Sequence, residues 1–556
     1  MTSNPQQNQK NGTDPIADFD AVVVGAGFSG LYMLYRLRGQ GLSTRVFEAG
    51  GDVGGTWFWN RYPGLRCDIE SIYYSYTFSE ELYKEWTWSS RFAKQPEILS
   101  YANYVADKFD LRKDIQFKTR VTAAHYDEVN HRWRIRLDDG SSVSAKYLIT
   151  GVGCLSTTNV PEIKGLDSFK GEWYHPGLWP HEKVIFKGKR VGVIGTGSTG
   201  IQIIPMIAKE ADHLTVFQRT PQYTTPAQDR PLDPEFVRQT KENFNVMKQR
   251  MDDSYLGIGT VPGRDRSALE DTPEERQRVY EEAWGKGAQA FPRIYNDLIT
   301  NEPANKTATD FIRSKIKGIV HDPETARKLM PSYFFGTKRP VLDTDYYETY
   351  NRDNVTLVDV KKAPIEEITP NGLRTSKTEH ELDILVFATG FDAMTGTLFK
   401  MDIRGKDGVS LKGKWGDGAQ VRTYLGIATA GFPNMFMITG PESPSVISNV
   451  LHSIQQHVEW IAACIQYLND HGLDTIEAKA DAEEHWSQYC KELADATLYR
   501  KTDSWFTGAN IAGKPQPTGF LIYLGGFAKY RQICSEVAAK GYEGFSMTSS
   551  LKTTLS

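Results

Sequence analysis

Apolar residues along this chain gather into short runs separated by glycines and polar stretches. The run Phe19–Val24 has strand character, and the spacing of Leu31, Leu34 and Leu37 after it predicts a helix. A second strand, Thr44–Phe47, stops at Glu48. The same order returns later, as strand Arg190–Ile194, a helix through Ile201, Ile204 and Ile207, and strand Leu214–Phe217. From Gln228 to about Leu329 the pattern changes. Pro234–Arg250 and Pro273–Trp284 are charged and helix-favouring, with Pro and Gly between them, and read as a helical insertion. Strand signals resume at Val355–Val358 and Ile384–Phe387, and Leu451–Leu468 is an amphipathic helix. The polar opening Met1–Asp14 reads as a disordered tail, and the last ten or so residues, rich in Ser, Thr and Lys, as loose chain.

Each strand–helix turn carries glycines at fixed spacing: Gly25, Gly27 and Gly30 in the first, Gly195, Gly197 and Gly200 in the second. In a βαβ unit the first glycine allows a tight turn, the second lets a pyrophosphate approach the backbone, and the third lets helix and strand pack closely. The phosphate meets the helix N-terminal amides, here at Phe28 and Ser29 in the first loop and at Thr196, Ser198 and Thr199 in the second. Glu48, 18 residues after Gly30, is placed to accept from both ribose hydroxyls. The second unit has no acid there. Its strand runs into Arg219 and Thr220, which suit a 2′-phosphate, so this site is expected to take NADPH and the first FAD. The expected fold is α/β, with two Rossmann-like dinucleotide domains and a helical insertion. The expected division is a tail at 1–16, the FAD-binding domain at 17–155 and 389–545, and the NADPH-binding domain at 156–227 and 333–388. The insertion occupies 228–332 and a flexible tail 546–556.

The net charge of −4 over 556 residues suggests neither a nucleic-acid nor an anionic-membrane partner. No apolar run approaches the roughly 18 residues of a membrane span. Five widely spaced cysteines without a Cys-x-x-Cys point away from disulfides, metal and dithiol redox chemistry, and towards a reducing cytoplasm. A monomer is expected.

Between the glycine loops lies the segment Phe169 to Pro180, with Phe169, Gly171, His175, Trp179 and Pro180 at the spacing F-x-G-x-x-x-H-x-x-x-W-P. Gly54, Gly55, Trp57, Tyr62, Pro63, Gly64 and Asp68 form a second ordered set. Together these resemble the two signatures of Baeyer–Villiger monooxygenases, the class B type that includes cyclohexanone, phenylacetone and steroid monooxygenases. The resemblance runs from about Phe19 to Phe545. It implies an FAD enzyme that uses NADPH and O2, through a flavin C4a-peroxide, to insert oxygen beside a ketone carbonyl. It further implies that Arg339 is the active-site cation and Asp68 its carboxylate partner, with both near the cofactors. Lys338 would join Arg219 and Thr220 on the 2′-phosphate, and Trp505 would meet the NADPH. Thr56, Trp57, Tyr74, Val121 and Val450 match flavin-contacting positions, and Gly55, Arg66, Cys67 and Gln202 fall among the cofactor-binding ones. His175 would transmit domain position rather than act as a base. Glu442 departs from the Gly or Asn usual in relatives, and a charge there is expected to alter the substrate pocket.

The nearest rival is an N- or S-oxygenating flavin monooxygenase, whose fingerprint ends in Phe or Tyr where this chain has Trp179. A disulfide reductase would need paired cysteines. A non-catalytic nucleotide-sensing protein, binding partners through the insertion, is a further alternative, against which the intact Arg339 argues.

Overall fold

The computed structural model describes residues 17–259 and 263–549. The expected tail at 1–16 lies outside the described residues. Two parallel-rich sheets organise the chain. The larger has eight strands. Ala17–Val24 runs at its centre between Thr44–Phe47 and Ser142–Thr150, parallel to both, with Val24 opposite Phe47 and Thr150. The antiparallel strands Val121–Asp127 and Arg132–Leu137 extend one side, and Ile115–Gln116 closes the other. Two strands arrive from far along the chain: Asp402–Arg404 beside Val121–Asp127, and Met435–Met437 beside Ser142–Thr150. Val22, Val23, Leu148 and Ile149 are fully or almost fully buried, as continuous apolar runs in a sheet covered on both faces must be.

The smaller sheet orders Val355–Asp359, His213–Gln218, Arg190–Ile194, Ile384–Phe387 and Glu172–Tyr174, all parallel. The chain crosses between the sheets twice, and Thr158 bridges Phe391 where the crossings meet. A separate two-stranded pair, Thr224–Pro226 with Val341–Asp343, joins the two ends of the helical stretch.

Within that stretch the helices are Pro234–Glu242, Phe244–Asp253, Pro273–Lys286, Glu302–Ile319 and Pro323–Leu329. The expected single segment Pro234–Arg250 is therefore two helices. Asn243 interrupts them, and Phe244, Met247 and Met251 turn inward after it. Asp233, Thr272, Asn301 and Asp322 cap four of the five with side-chain acceptors, each followed by proline in the first turn.

The C-terminal end differs from expectation. Phe545–Thr548 is a strand, paired antiparallel with Thr475–Ala478, so the chain there is tied down well past Phe545. Phe545 is buried against Trp460 and Tyr424, which holds the strand despite its polar neighbours. The remainder of the expected tail, 550–556, is outside the described residues.

Candidate functional site

Both glycine loops sit at the carboxyl ends of their central strands. A Cβ on Gly30 would lie 1.8 Å from the Gly25 carbonyl oxygen, a contact no other residue could make. Gly195, at φ +109°, would place a Cβ 2.4 Å from the Ala388 carbonyl oxygen. The helices Phe28–Gly39 and Ser198–Glu210 begin after Gly27 and Gly197 with no side chain capping their first amides. Those amides remain available to an anion. The Gly54–Gly55 turn approaches Gly27 so closely that a Cβ on Gly55 would lie 2.9 Å from the Gly27 Cα. A backbone cradle free of side chains fits a pyrophosphate.

Glu48 is buried at the end of its strand. It accepts from the Ala26 amide at 2.7 Å and the Gly50 amide at 2.6 Å, which aims the carboxylate along the loop. Thr56 and Trp57 open the short helix Thr56–Trp59. The Trp57 indole donates to the Tyr74 hydroxyl at 3.1 Å, and its carbonyl accepts from Gln95. Burial raises the Tyr74 hydroxyl far above its ordinary range and also pushes up the Cys67 thiol, so both stay neutral. Val121 is buried at the start of its strand, and Val450 opens the long helix Val450–Asp470.

In the second loop Gly197 and Ser198 are exposed, Thr199 is half-buried and the Thr196 hydroxyl donates to the Thr220 carbonyl at 3.0 Å. Arg219 is exposed and forms no ion pair among the described residues. Lys338 lies over the Tyr333 ring at 5.0 Å. Burial, then the Arg219 charge, lower its pKa. Two cations that share a field and have no paired carboxylate form a place for an anion. Trp505 begins a short turn capped by Ser504, far from these residues in sequence but near Lys338 in space, since the Thr337 hydroxyl donates to the Thr502 hydroxyl at 2.8 Å.

Arg339 and Asp68 meet although 271 positions separate them. The Arg339 Nε donates to one Asp68 oxygen at 2.8 Å and Nη2 to the other at 2.7 Å, a two-pronged pair. Nη1 donates to the Val446 carbonyl. Burial alone would lower the arginine's pKa, but Asp68 outweighs it and the shift is upward, so the side chain is a permanent cation. Asp68 is held by the neighbouring chain: Cys67 donates its amide to Ala93, and Gln289 donates to the Asp68 carbonyl. Arg66 turns away, to Asp229 at 3.3 Å and Thr344 at 3.2 Å, and its carbonyl accepts from Gln202. Gln202 accepts in turn from Tyr62. Gln222 donates to the Arg339 carbonyl at 2.9 Å, and it was not among the sequence candidates, nor were Val446, Gln95 and Gln289. They act on or through backbone carbonyls, which leave no residue signature.

Two expectations are refined. His175 is buried. Its Nδ1 accepts from the Gly177 amide at 3.0 Å, so Nε2 carries the proton and donates to Gly390 at 3.1 Å. Burial lowers its pKa to about 4, so it is neutral and pins the first crossing to the second. Glu442 is enclosed by protein. It is 1% exposed, and one carboxylate oxygen takes hydrogen bonds from the Thr423 amide, the Thr423 hydroxyl and the Ser487 hydroxyl. It anchors the loop that delivers Val446 to Arg339. Its backbone lies in the left-handed region, at φ +65°.

Two nucleotide-type loops at the ends of parallel strands, in a chain that also holds a fixed buried arginine, are the arrangement of a two-cofactor oxidoreductase. Comparison with known proteins narrows the class. Residues 20–228 match the flavin-binding monooxygenase-like family. A Baeyer–Villiger monooxygenase of Pseudooceanicola batsensis is 47% identical over 95% of this chain and 96% of the relative. A phenazine N-monooxygenase of Lysobacter antibioticus is 45% identical over 95% and 96%. The crystal structure of cyclohexanone monooxygenase from Rhodococcus sp. Phi1 bound to NADP+ is 44% identical. It covers 96% of this chain and 100% of its own, with a TM-score of 0.93. The chain belongs to the Baeyer–Villiger monooxygenases of the flavin-binding monooxygenase family, which use FAD and NADPH.

Proposed function

We propose that the chain converts a ketone to an ester or lactone at Arg339, with FAD on the Gly25 loop and NADPH on the Gly195 loop. The observation that carries this reading is the two-pronged Arg339–Asp68 pair, held by the Val446 carbonyl. Gly25, Gly27, Gly30 and Glu48 would hold the flavin nucleotide. Arg219, Thr220 and Lys338 would hold the 2′-phosphate, and Trp505 the rest of the NADPH. When bound, the flavin takes electrons from NADPH and activates O2.

The chain's own part is electrostatic. Three of the five guanidinium N–H groups of Arg339 are engaged, which leaves two to face a substrate. Asp68 fixes the plane of the guanidinium, so no reorganisation is needed when negative charge develops on the carbonyl oxygen. A lysine could not hold the same two-pronged geometry. His175, neutral and with both nitrogens occupied, supplies no acid or base. The five free thiols, four of them buried, are in keeping with a reducing cytoplasm. Among the described residues no helix is long and apolar enough to cross a membrane.

The test is ester formed per NADPH consumed across a panel of cyclic, linear, aryl and steroid ketones. Arg339→Ala should keep its FAD yet lose about 2.7–4 kcal/mol of transition-state stabilisation, roughly a hundredfold or more in rate. Ester formation at close to the wild-type rate would move the role to another group. A second reading, oxygenation of an aromatic nitrogen, is favoured by the 45% identity to a phenazine N-monooxygenase. Phenazine therefore belongs in the panel. N-oxide formed faster than any ester would favour that reading.

A further inference from the structure

Arg293 ends the short turn Phe291–Arg293 in the helical insertion. Its guanidinium carbon lies 3.7 Å from the centre of the Tyr255 ring, close enough for a stacked cation–π contact. Among the described residues no carboxylate pairs with it, in contrast to Arg339. Burial lowers its pKa, and the groups that face it are the tyrosines Tyr255 and Tyr499. A guanidinium is nonetheless charged at any physiological pH. An enclosed cation without a counter-charge is an unfavourable arrangement, and an arriving anion relieves it.

The surroundings show where that anion would sit. Tyr255 is 40% exposed, so the stacked pair borders open space and is not sealed in a core. Its hydroxyl is fixed by donation to the Leu524 carbonyl. The next residue, Leu256, accepts from the Asn449 amide at 2.7 Å, and Asn449 Nδ2 reaches the Gly257 carbonyl at 3.2 Å. Asn449 lies three positions after Val446, the residue whose carbonyl receives Arg339. From another side, Tyr499 lies in the electrostatic field of both Arg293 and Arg339. Two guanidiniums thus flank one region. Asp68 neutralises one, and nothing described neutralises the other. The 2′-phosphate of NADPH is already assigned to Arg219 and Lys338, so the cofactors give Arg293 no task.

We infer that Arg293 binds an oxyanion of the substrate, so that the favoured ketones carry a carboxylate or phosphate remote from the carbonyl that Arg339 faces. The inference rests on the reading of Arg339 as the ketone-side cation. The planar fork, held flat on the Tyr255 ring, suits two-pronged recognition of either group. Arg293 would then set specificity and take no part in the oxygen transfer.

The experiment uses the FAD-loaded enzyme with levulinate and longer linear keto acids, each beside its methyl ester. At neutral pH the acids are ionised and the esters neutral, with the carbonyl unchanged. Wild type should favour an acid of suitable length. Arg293→Leu should reduce the acid-to-ester ratio of kcat/KM about ten- to hundredfold, mainly through KM, and Arg293→Lys should recover part of it. Phosphate-bearing ketones run in parallel separate the two anions. An acid-to-ester ratio that is the same in wild type and Arg293→Leu overturns the inference. Should the enzyme oxygenate no ketone at all, the proposed function fails instead. Titration of the flavin absorbance with the same keto acids then decides the anion site. Binding lost in Arg293→Leu upholds it, and binding unaltered in both variants overturns it. Arg293→Gln, closer in shape, serves in every arm if the leucine variant does not fold.

Discussion

Replacing Glu442 with glutamine should make the protein more stable at neutral and alkaline pH, and by an amount that grows with pH. The wild-type carboxyl is almost wholly enclosed. One oxygen accepts from the Thr423 amide at 2.8 Å, the Thr423 hydroxyl at 2.9 Å and the Ser487 hydroxyl at 2.8 Å. The other oxygen meets no donor among the described residues. The nearby Lys414 is paired with Glu483, not with Glu442. Burial therefore lifts the pKa from 4.5 to about 8, against the opposing effect of the hydrogen bonds. The folded chain binds this proton more tightly than the unfolded chain. The contribution to stability is full below pH 4.5 and is lost as pH rises towards about 8. At 1.36 kcal/mol per unit, the buried carboxylate is unfavourable by up to about 5 kcal/mol above that pH. In Glu442→Gln the amide oxygen can accept the same three hydrogen bonds. Its NH2 occupies the side without partners, much as the O–H of a protonated glutamate would. Wild type and variant should thus unfold alike near pH 5 and diverge by a few kcal/mol near pH 9. The assay is the thermal midpoint of the FAD-loaded protein at pH steps across that range. A difference between the two that stays constant with pH would refute the reasoning.

The other predictions concern the cofactor loops. Arg219→Ala should raise KM for NADPH far more than KM for NADH, since a charge-assisted phosphate contact contributes roughly 1.5–3 kcal/mol; equal loss with both cofactors would show that Arg219 does not read the phosphate. Gly30→Ala should yield protein that fails to retain FAD or fails to fold, because its Cβ would sit 1.8 Å from the Gly25 carbonyl oxygen. A yellow, fully loaded Gly30→Ala protein would contradict the loop geometry.

The local chain determined much of this protein by itself. The glycine spacings, the strands before them and the contrast between Glu48 and Arg219 are written in contiguous sequence. Each is a demand of the backbone over a few residues: a tight turn, a close helix–strand contact, or a side chain at a strand end. The two signatures were legible for the same reason. Decisions made only by tertiary structure involve residues with no sequence relation. Arg339 and Asp68 lie 271 positions apart, and family resemblance rather than any pattern in the chain brought them together on paper. The Val446 carbonyl could not be anticipated at all, since every residue has one and its direction is set by a loop anchored through Glu442. That glutamate stood out in the sequence only as a departure from the Gly or Asn usual in relatives, with a charge expected to alter the substrate pocket. In the structure it is enclosed and hydrogen-bonded to Thr423 and Ser487. The strand Phe545–Thr548 was likewise hidden. It is only four residues long, and it persists because Thr475–Ala478 pairs with it and Phe545 packs against Trp460. Periodicity records what a segment needs from its own backbone. It does not record which distant segment satisfies the remaining hydrogen bonds and charges, because that choice is made only when the two sheets and the insertion close on one another.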